Sequence, residues 1–212
     1  MRLRPSPCAA MWIAPCPLHR HLCAMTQYSI HTRQGLPEVW QTLLRDYPRE
    51  AWPDHPNFTR PIRKWMGAHV NFRQMAGLLR GQSKEMMDKT LDPARFQANL
   101  GHYGHALVQH LHGHHAWEDH RFFPELAGAA PRFIRGLDML ETDHTEMDAL
   151  LERFSRAGNR YLQLMQMSPD DAPQELPDLM QQSQALEQFL NRHLTDEEDL
   201  VVPILLHHKM RG

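Results

Sequence analysis

Apolar residues recur every three to four positions through four long stretches of the chain, the period of a helix with one buried face. From about Thr59 to Arg80, Ile62, Trp65, Met66, His69, Phe72, Ala76 and Leu79 share a face, and Gly81 with Gln82 offers a stop. The second stretch, about Pro93 to His120, opens on Asp92-Pro93, an N-cap followed by a first-turn proline. A third begins after Pro131 and carries Leu137, Leu140, His144, Met147, Leu151 and Phe154 on toward Met165. Ser168 to Pro177 is the clearest linker, and a fourth helix follows from about Asp178 to Leu200, through Leu179, Leu186, Leu190, His193 and Glu197. No segment with the period of a strand competes. The pattern predicts an all-α fold, an antiparallel four-helix bundle.

Residues 57–208 are expected to form this bundle, with 25–56 as an N-terminal arm. The arm carries a short helix around Leu36 to Arg45 and then a proline-punctuated stretch, YPREAWPDHPNF, expected to lie as a loop over the core. Residues 1–24 are read as a disordered arm or a mis-called start, with Met25 as the native first residue. Pro5, Pro7, Pro15 and Pro17 break the apolar run that a secretory signal needs. Cys8, Cys16 and Cys23 all fall in this segment, so the bundle has neither a disulfide framework nor a thiolate metal site, and a cytoplasmic location is expected. With 23 Lys and Arg against 25 Asp and Glu, the charge of -2 asks for neither nucleic acid nor an anionic membrane. No apolar run approaches the roughly 20 residues of a membrane span.

The outlying count is histidine, at 16. Its placement is repetitive: His114-x-x-x-Glu118-x-x-x-x-x-Pro124-x-Leu126 and His193-x-x-x-Glu197-x-x-x-x-x-Pro203-x-Leu205 share their spacing at all four positions. A helix with an inward histidine precedes each copy, His69 before the first and His144 before the second. The chain therefore reads as two related helical hairpins facing each other across an approximate two-fold axis. At about 100° per residue, His114 and Glu118 fall on one buried face, as do His193 and Glu197. Two carboxylates and several imidazoles in an apolar core without partners would cost several kcal/mol per ion, roughly, and a bound metal removes that cost. A lone inward histidine is more often a hydrogen-bonded core residue, but a repeated set of six argues for a metal. His115, whose counterpart is Leu194, adds a further ligand for one of two metals.

Other residues have blander readings. His110 is a substitute ligand or a neighbour of one, while His207 and His208 face solvent. Met86, Met87, Met165 and Met167 are filler, and Asp196, Glu198 and Asp199 read as a solvated acidic face. Trp65, Phe72, Tyr103 and Trp117 either line the site or belong to the plain core. Asp143 and Asp148 either orient His144 or are solvated.

Nitrogen and oxygen ligands alone leave iron, manganese, zinc and copper open. Two carboxylates placed to bridge inside a bundle favour a di-iron or di-manganese centre over a lone zinc. The usual bundle site pairs Glu-x-x-His and is carboxylate-rich, whereas this one pairs His-x-x-x-Glu and is histidine-rich.

That departure resembles the hemerythrin-like, HHE cation-binding domains, through the element His114-His115-Ala116-Trp117-Glu118 together with His69, His144, His193 and Glu197. The resemblance covers about Asn57 to Leu206. It implies Glu118 and Glu197 as bridging carboxylates, His69 and His114 on one iron, and His115, His144 and His193 on the other. The cofactor implied is a pair of iron ions with an oxo or hydroxo bridge, ahead of manganese or zinc. Oxygen-carrying hemerythrins have a second histidine one turn away in the third helix. Here Leu140 and Asp148 stand at that distance, which turns the expectation away from simple oxygen carriage.

Ligand counting leaves one position open on the iron of His69 and His114, where dioxygen, nitric oxide or peroxide would bind. The function implied is sensing, storage or detoxification of such a ligand. The alternatives are a di-iron enzyme that reduces peroxide or nitric oxide or repairs iron-sulfur clusters, and a redox-inert zinc domain. A homodimer through Tyr47 to Pro56 and the third helix, or a separate signalling partner, completes the expectations.

Overall fold

The computed structural model describes residues 28–210. The expectations for residues 1–24, with those for Cys8, Cys16 and Cys23, and that for Met25 fall outside them. Within the described residues the chain is all-α, with four long helices packed antiparallel and an N-terminal extension laid across one end. The extension holds a short helix, α1 (Thr42–Asp46), between 3-10 turns at Glu38–Trp40 and Arg49–Ala51. Leu36, Trp40, Leu43 and Trp52 pin it to the bundle as buried side chains.

Helix α2 (Arg60–Met87) runs past the stop expected at Gly81. Gln82 and Ser83 are buried, the Ser83 hydroxyl donates to the Leu79 carbonyl at 2.8 Å, and Gln82 accepts from Asn99 at 3.2 Å. The inward stripe therefore continues for a further turn. The helix ends instead at Asp88, with Lys89 in the left-handed region at φ 57°.

Helix α3 follows one helical path over residues 93–129, longer than expected and broken by two wide π turns, Leu100–Gly104 and Glu118–Phe122. The Asp92 carboxylate caps its start by accepting from the Arg95 N–H at 2.9 Å. The second π turn has a legible cause. An uninterrupted α-helix would bring Glu125, seven residues on, round to within about 20° of Glu118 and so into the core. The extra residue of the wide turn rotates it out: Glu125 is exposed, while Phe122, Phe123 and Leu126 are buried. In the second copy of the repeat the seventh residue is Ile204, buried and apolar, and the helix passes through Pro203 with no such turn.

Helix α4 (Ile134–Met167) and helix α5 (Leu176–His207) close the bundle, joined through the turn at Ala172–Glu175. The core lies in two apolar clusters. One contains Phe72, Leu107, Leu111, Met147, Leu151, Leu186 and Leu190, and the other Trp65, Phe122, Phe123, Leu137, Leu140, Leu200 and Val201. Along every long helix the inward histidines and glutamates fall between the two. Among the described residues no helix is long and apolar enough to cross a membrane.

Candidate metal centre

The bundle brings all seven candidate side chains together in two groups. One ligand atom each from His69, His114, Glu118 and Glu197 lie within 4.8 Å of one another, and so do one each from His115, His144 and His193. His69, Glu118, His193 and Glu197 are fully buried and His115 and His144 are 3 % exposed; only His114 is half-buried. In the first group the Nε2 atoms of His69 and His114 face each other at 2.9 Å, and in the second those of His144 and His193 at 3.1 Å. His115 stacks on His144, with ring centroids 4.0 Å apart.

The two carboxylates of the first group also approach the second. Glu118 sets Oε1 2.9 Å from His114 Nε2 and Oε2 3.9 Å from His144 Nε2. Glu197 sets Oε2 3.5 Å from His69 Nε2 and 3.8 Å from His193 Nε2. Each carboxylate thus reaches one imidazole of either group.

Both nitrogens of His115, Oε2 of Glu118 and both oxygens of Glu197 are buried without a hydrogen-bond partner. Native interiors leave few such groups, and each costs on the order of 1–3 kcal/mol or more. Here five orphaned atoms converge among inward-facing imidazoles, and their chemistry is that of a hard or borderline divalent metal. The residues fit a metal pair.

The states of the buried imidazoles agree with this. Burial pushes His69 below the usual imidazole range, His193 to about 4, and His115 well below that range. Neutral imidazoles keep the lone pair that a metal needs. Burial opposes the charge on Glu118, but the hydrogen bond and charge of His114, with His69 and His144 beyond, hold it at about 2. Burial and the charge of Glu118 push Glu197 well above the carboxylate range.

Three carboxylates orient the ring nitrogens that face away from the centre. His69 Nδ1 donates to Glu198 at 3.1 Å, His144 Nδ1 to Asp119 at 2.7 Å, and His193 Nδ1 to Asp143 at 3.1 Å. Such pairs fix ring orientation and raise ligand basicity. Trp65 acts on the other side, donating its indole N–H to Glu118 Oε1 at 2.6 Å.

Several expectations are corrected. Asp196 and Glu198 do not form a solvated face: they are 0 % and 3 % exposed and, with half-buried Asp199, are paired to arginines. Asp143 orients His193 rather than His144, whereas Asp148 is exposed as its alternative reading had it, 3.4 Å from His112. His110 is exposed and belongs to neither group. Of the aromatics, Trp65 bonds the site and Phe72 packs edge-on against His114 at 5.2 Å. Trp117 is 41 % exposed, and Tyr103 is half-buried, packed on the core.

One signal for the orienting acids lay in the repeat. Asp119 follows Glu118 just as Glu198 follows Glu197, and each acid serves the histidine of the opposite hairpin. Arg33, whose side chain is buried and bonded to Asp143 and Asp196, was not foreseen; nor was Arg49, bonded to Glu198 and Asp199.

A cavity of about 360 Å³ reaches this centre beside His114, walled mainly by Ile62, Trp65, Ala68, Trp117, Phe122 and Leu205. It opens on the first group, the one with two imidazoles.

No curated protein and no solved structure matches the chain. A family model does, that of the hemerythrin HHE cation binding domain, over residues 60–209. Since that match spans most of the chain and the whole bundle, the chain belongs to the hemerythrin HHE cation-binding family.

Proposed function

We propose that this chain is a non-haem di-iron protein that binds dioxygen, or a related small ligand such as nitric oxide or peroxide, in sensing, storage or detoxification. The observation that carries the reading is the set of seven ligand residues, six buried and His114 half-buried, in two groups that the carboxylates both approach. His69 and His114 would hold one iron, His115, His144 and His193 the other, and Glu118 and Glu197 would serve both. Iron bound there supplies a redox-active pair able to exchange electrons with a small ligand.

The rest is work for the protein's own groups. Asp119, Asp143 and Glu198 fix three imidazoles, and the Trp65 N–H occupies one oxygen of Glu118 while its other oxygen stays free. The apolar cavity beside His114 gives a small uncharged ligand a path from solvent, and its walls offer few polar groups to compete for it. The group it reaches is the one with fewer imidazoles, where a ligand finds room.

The test is elemental analysis of tag-free protein with absorption spectra before and after anaerobic reduction and re-oxygenation. Two irons per chain and a reversible near-ultraviolet band support the reading. Zinc alone, or iron whose spectrum ignores oxygen, nitric oxide and peroxide, overturns it. Steady-state consumption of peroxide or nitric oxide then separates binding from turnover.

A further inference from the structure

The family match begins at residue 60, yet two side chains from before that point reach the orienting layer of the metal centre. Arg33 lies in the turn that Ser29 opens, and its side chain is 4 % exposed. It bonds both oxygens of Asp143, the carboxylate on His193, and reaches Asp196 of α5 at 2.7 Å. Arg49, from the second 3-10 turn, donates to Glu198, the carboxylate on His69, at 2.9 Å. It also donates to Asp199 at 2.5 Å and to the Thr195 carbonyl at 2.9 Å. The arm thus sends one arginine to each half of the centre: Arg33 to Asp143 to His193, and Arg49 to Glu198 Oε2, while the Oε1 that takes His69 is also held by Arg73 of α2 at 2.7 Å.

These contacts are built into the fold. Asp143, Asp196 and Glu198 are each at most 3 % exposed, so lifting the arm would take from Asp143 its arginine and from Asp196 and Glu198 one arginine each, leaving them Arg192 and Arg73. The bundle holds the arm in return, since Arg192 bonds both Asp196 and the Gln34 carbonyl. A planar guanidinium bonded to two carboxylates fixes their direction as well as balancing their charge.

We infer that the N-terminal arm is a working part of the metal centre, with Arg33 and Arg49 as positioning residues that hold the carboxylates orienting His193 and His69, so that arm docking and metal loading are linked. The proposal rests on the metal reading above. Linkage is reciprocal: a metal that requires fixed imidazoles favours the docked arm, and a docked arm favours the metal.

Cobalt(II), titrated into the metal-free full chain, is the probe, read by its visible bands and by hydrogen exchange of residues 29–52. The unmutated chain should take up two cobalt ions, and exchange in the arm should slow about tenfold or more as it does so. Arg33→Gln should weaken by about 10–100-fold the binding step that His193→Ala abolishes. Arg49→Gln should weaken the step that His69→Ala abolishes. Arg156→Gln, at an exposed pair with Glu152, should change neither. Two cobalt ions bound with unaltered affinity in both arginine variants, or arm exchange indifferent to cobalt in the unmutated chain, overturns the arm's role and leaves the metal reading standing. No cobalt uptake by the unmutated chain overturns both. The exchange measurement needs no substitution, so it decides even where a variant fails to fold.

Discussion

Glu197 is wholly buried, neither of its oxygens has a hydrogen-bond partner, and the charge of Glu118 beside it adds to burial in opposing its ionisation. A core residue selected for stability would not be a carboxylate there. Glu197→Gln should therefore raise the stability of the metal-free protein by about 1–3 kcal/mol, since it removes a buried ionisable group next to a carboxylate. The same change should abolish loading of two metals. Urea unfolding in chelator, set beside metal content, checks both; a destabilised metal-free variant would mean that Glu197 is an ordinary structural residue. Trp65→Phe keeps the apolar ring but removes the donor to Glu118, and metal affinity should fall about 10–100-fold with helical content unchanged. At this scale the sequence was legible where side chains obeyed a period. The seven inward residues stood out because helices place them at fixed angles. Asp196 and Glu198 were misread because the side of α5 they occupy looks solvent-facing until the arm covers it, and an irregular segment has no period from which Arg33 or Arg49 could be placed.

The existence and order of the four long helices were legible from the stripe of apolar residues, while their ends were not. Gly81 suggested a stop, but the buried Gln82 and Ser83 carry α2 onward. Since a Cβ at Gly81 meets nothing within 4 Å, Gly81→Ala should stabilise by about 0.5–1 kcal/mol through helix propensity alone. Gly136 is the contrasting case. A Cβ there would lie 3.0 Å from Leu200 Cδ2 and 3.3 Å from Trp40 Cδ2, where α4 meets the arm. The Leu200 methyl can shift, but the Trp40 ring is packed against Tyr28 at 4.9 Å and has less room. Gly136→Ala should cost about 1–3 kcal/mol by overpacking, less about 1 kcal/mol regained in propensity. Urea midpoints of the two variants should therefore move in opposite directions, and equal shifts would show that the arm does not press on α4. The π turn at Glu118–Phe122 was also hidden from the pattern, although Glu125 marks it: a charged residue in phase with the core forces the helix to slip.

Across the whole molecule, a polar layer separates two apolar clusters that would otherwise form one core. Without a metal this layer weakens the bundle at mid-height: orphaned nitrogens and oxygens replace packing contacts, and paired imidazoles face each other across 2.9 Å and 3.1 Å. With a metal, the same atoms become ligands that tie all four long helices together, because α2, α3, α4 and α5 each contribute at least one. Stability should then depend on loading. A ligand that binds only the folded state adds RT ln(1 + [L]/Kd), about 4 kcal/mol for each site at a thousandfold excess over Kd. Chelation should lower the unfolding midpoint by an amount set by both sites, and restoring iron(II) under anaerobic conditions should recover it. Because the centre lies between the clusters, the loss should appear in helices at both ends of the bundle, as faster hydrogen exchange around Leu107 and Leu140 alike. A midpoint unmoved by chelation in protein shown to contain metal would place that metal elsewhere. A loss confined to one end would mean that the metal does not tie the two clusters together.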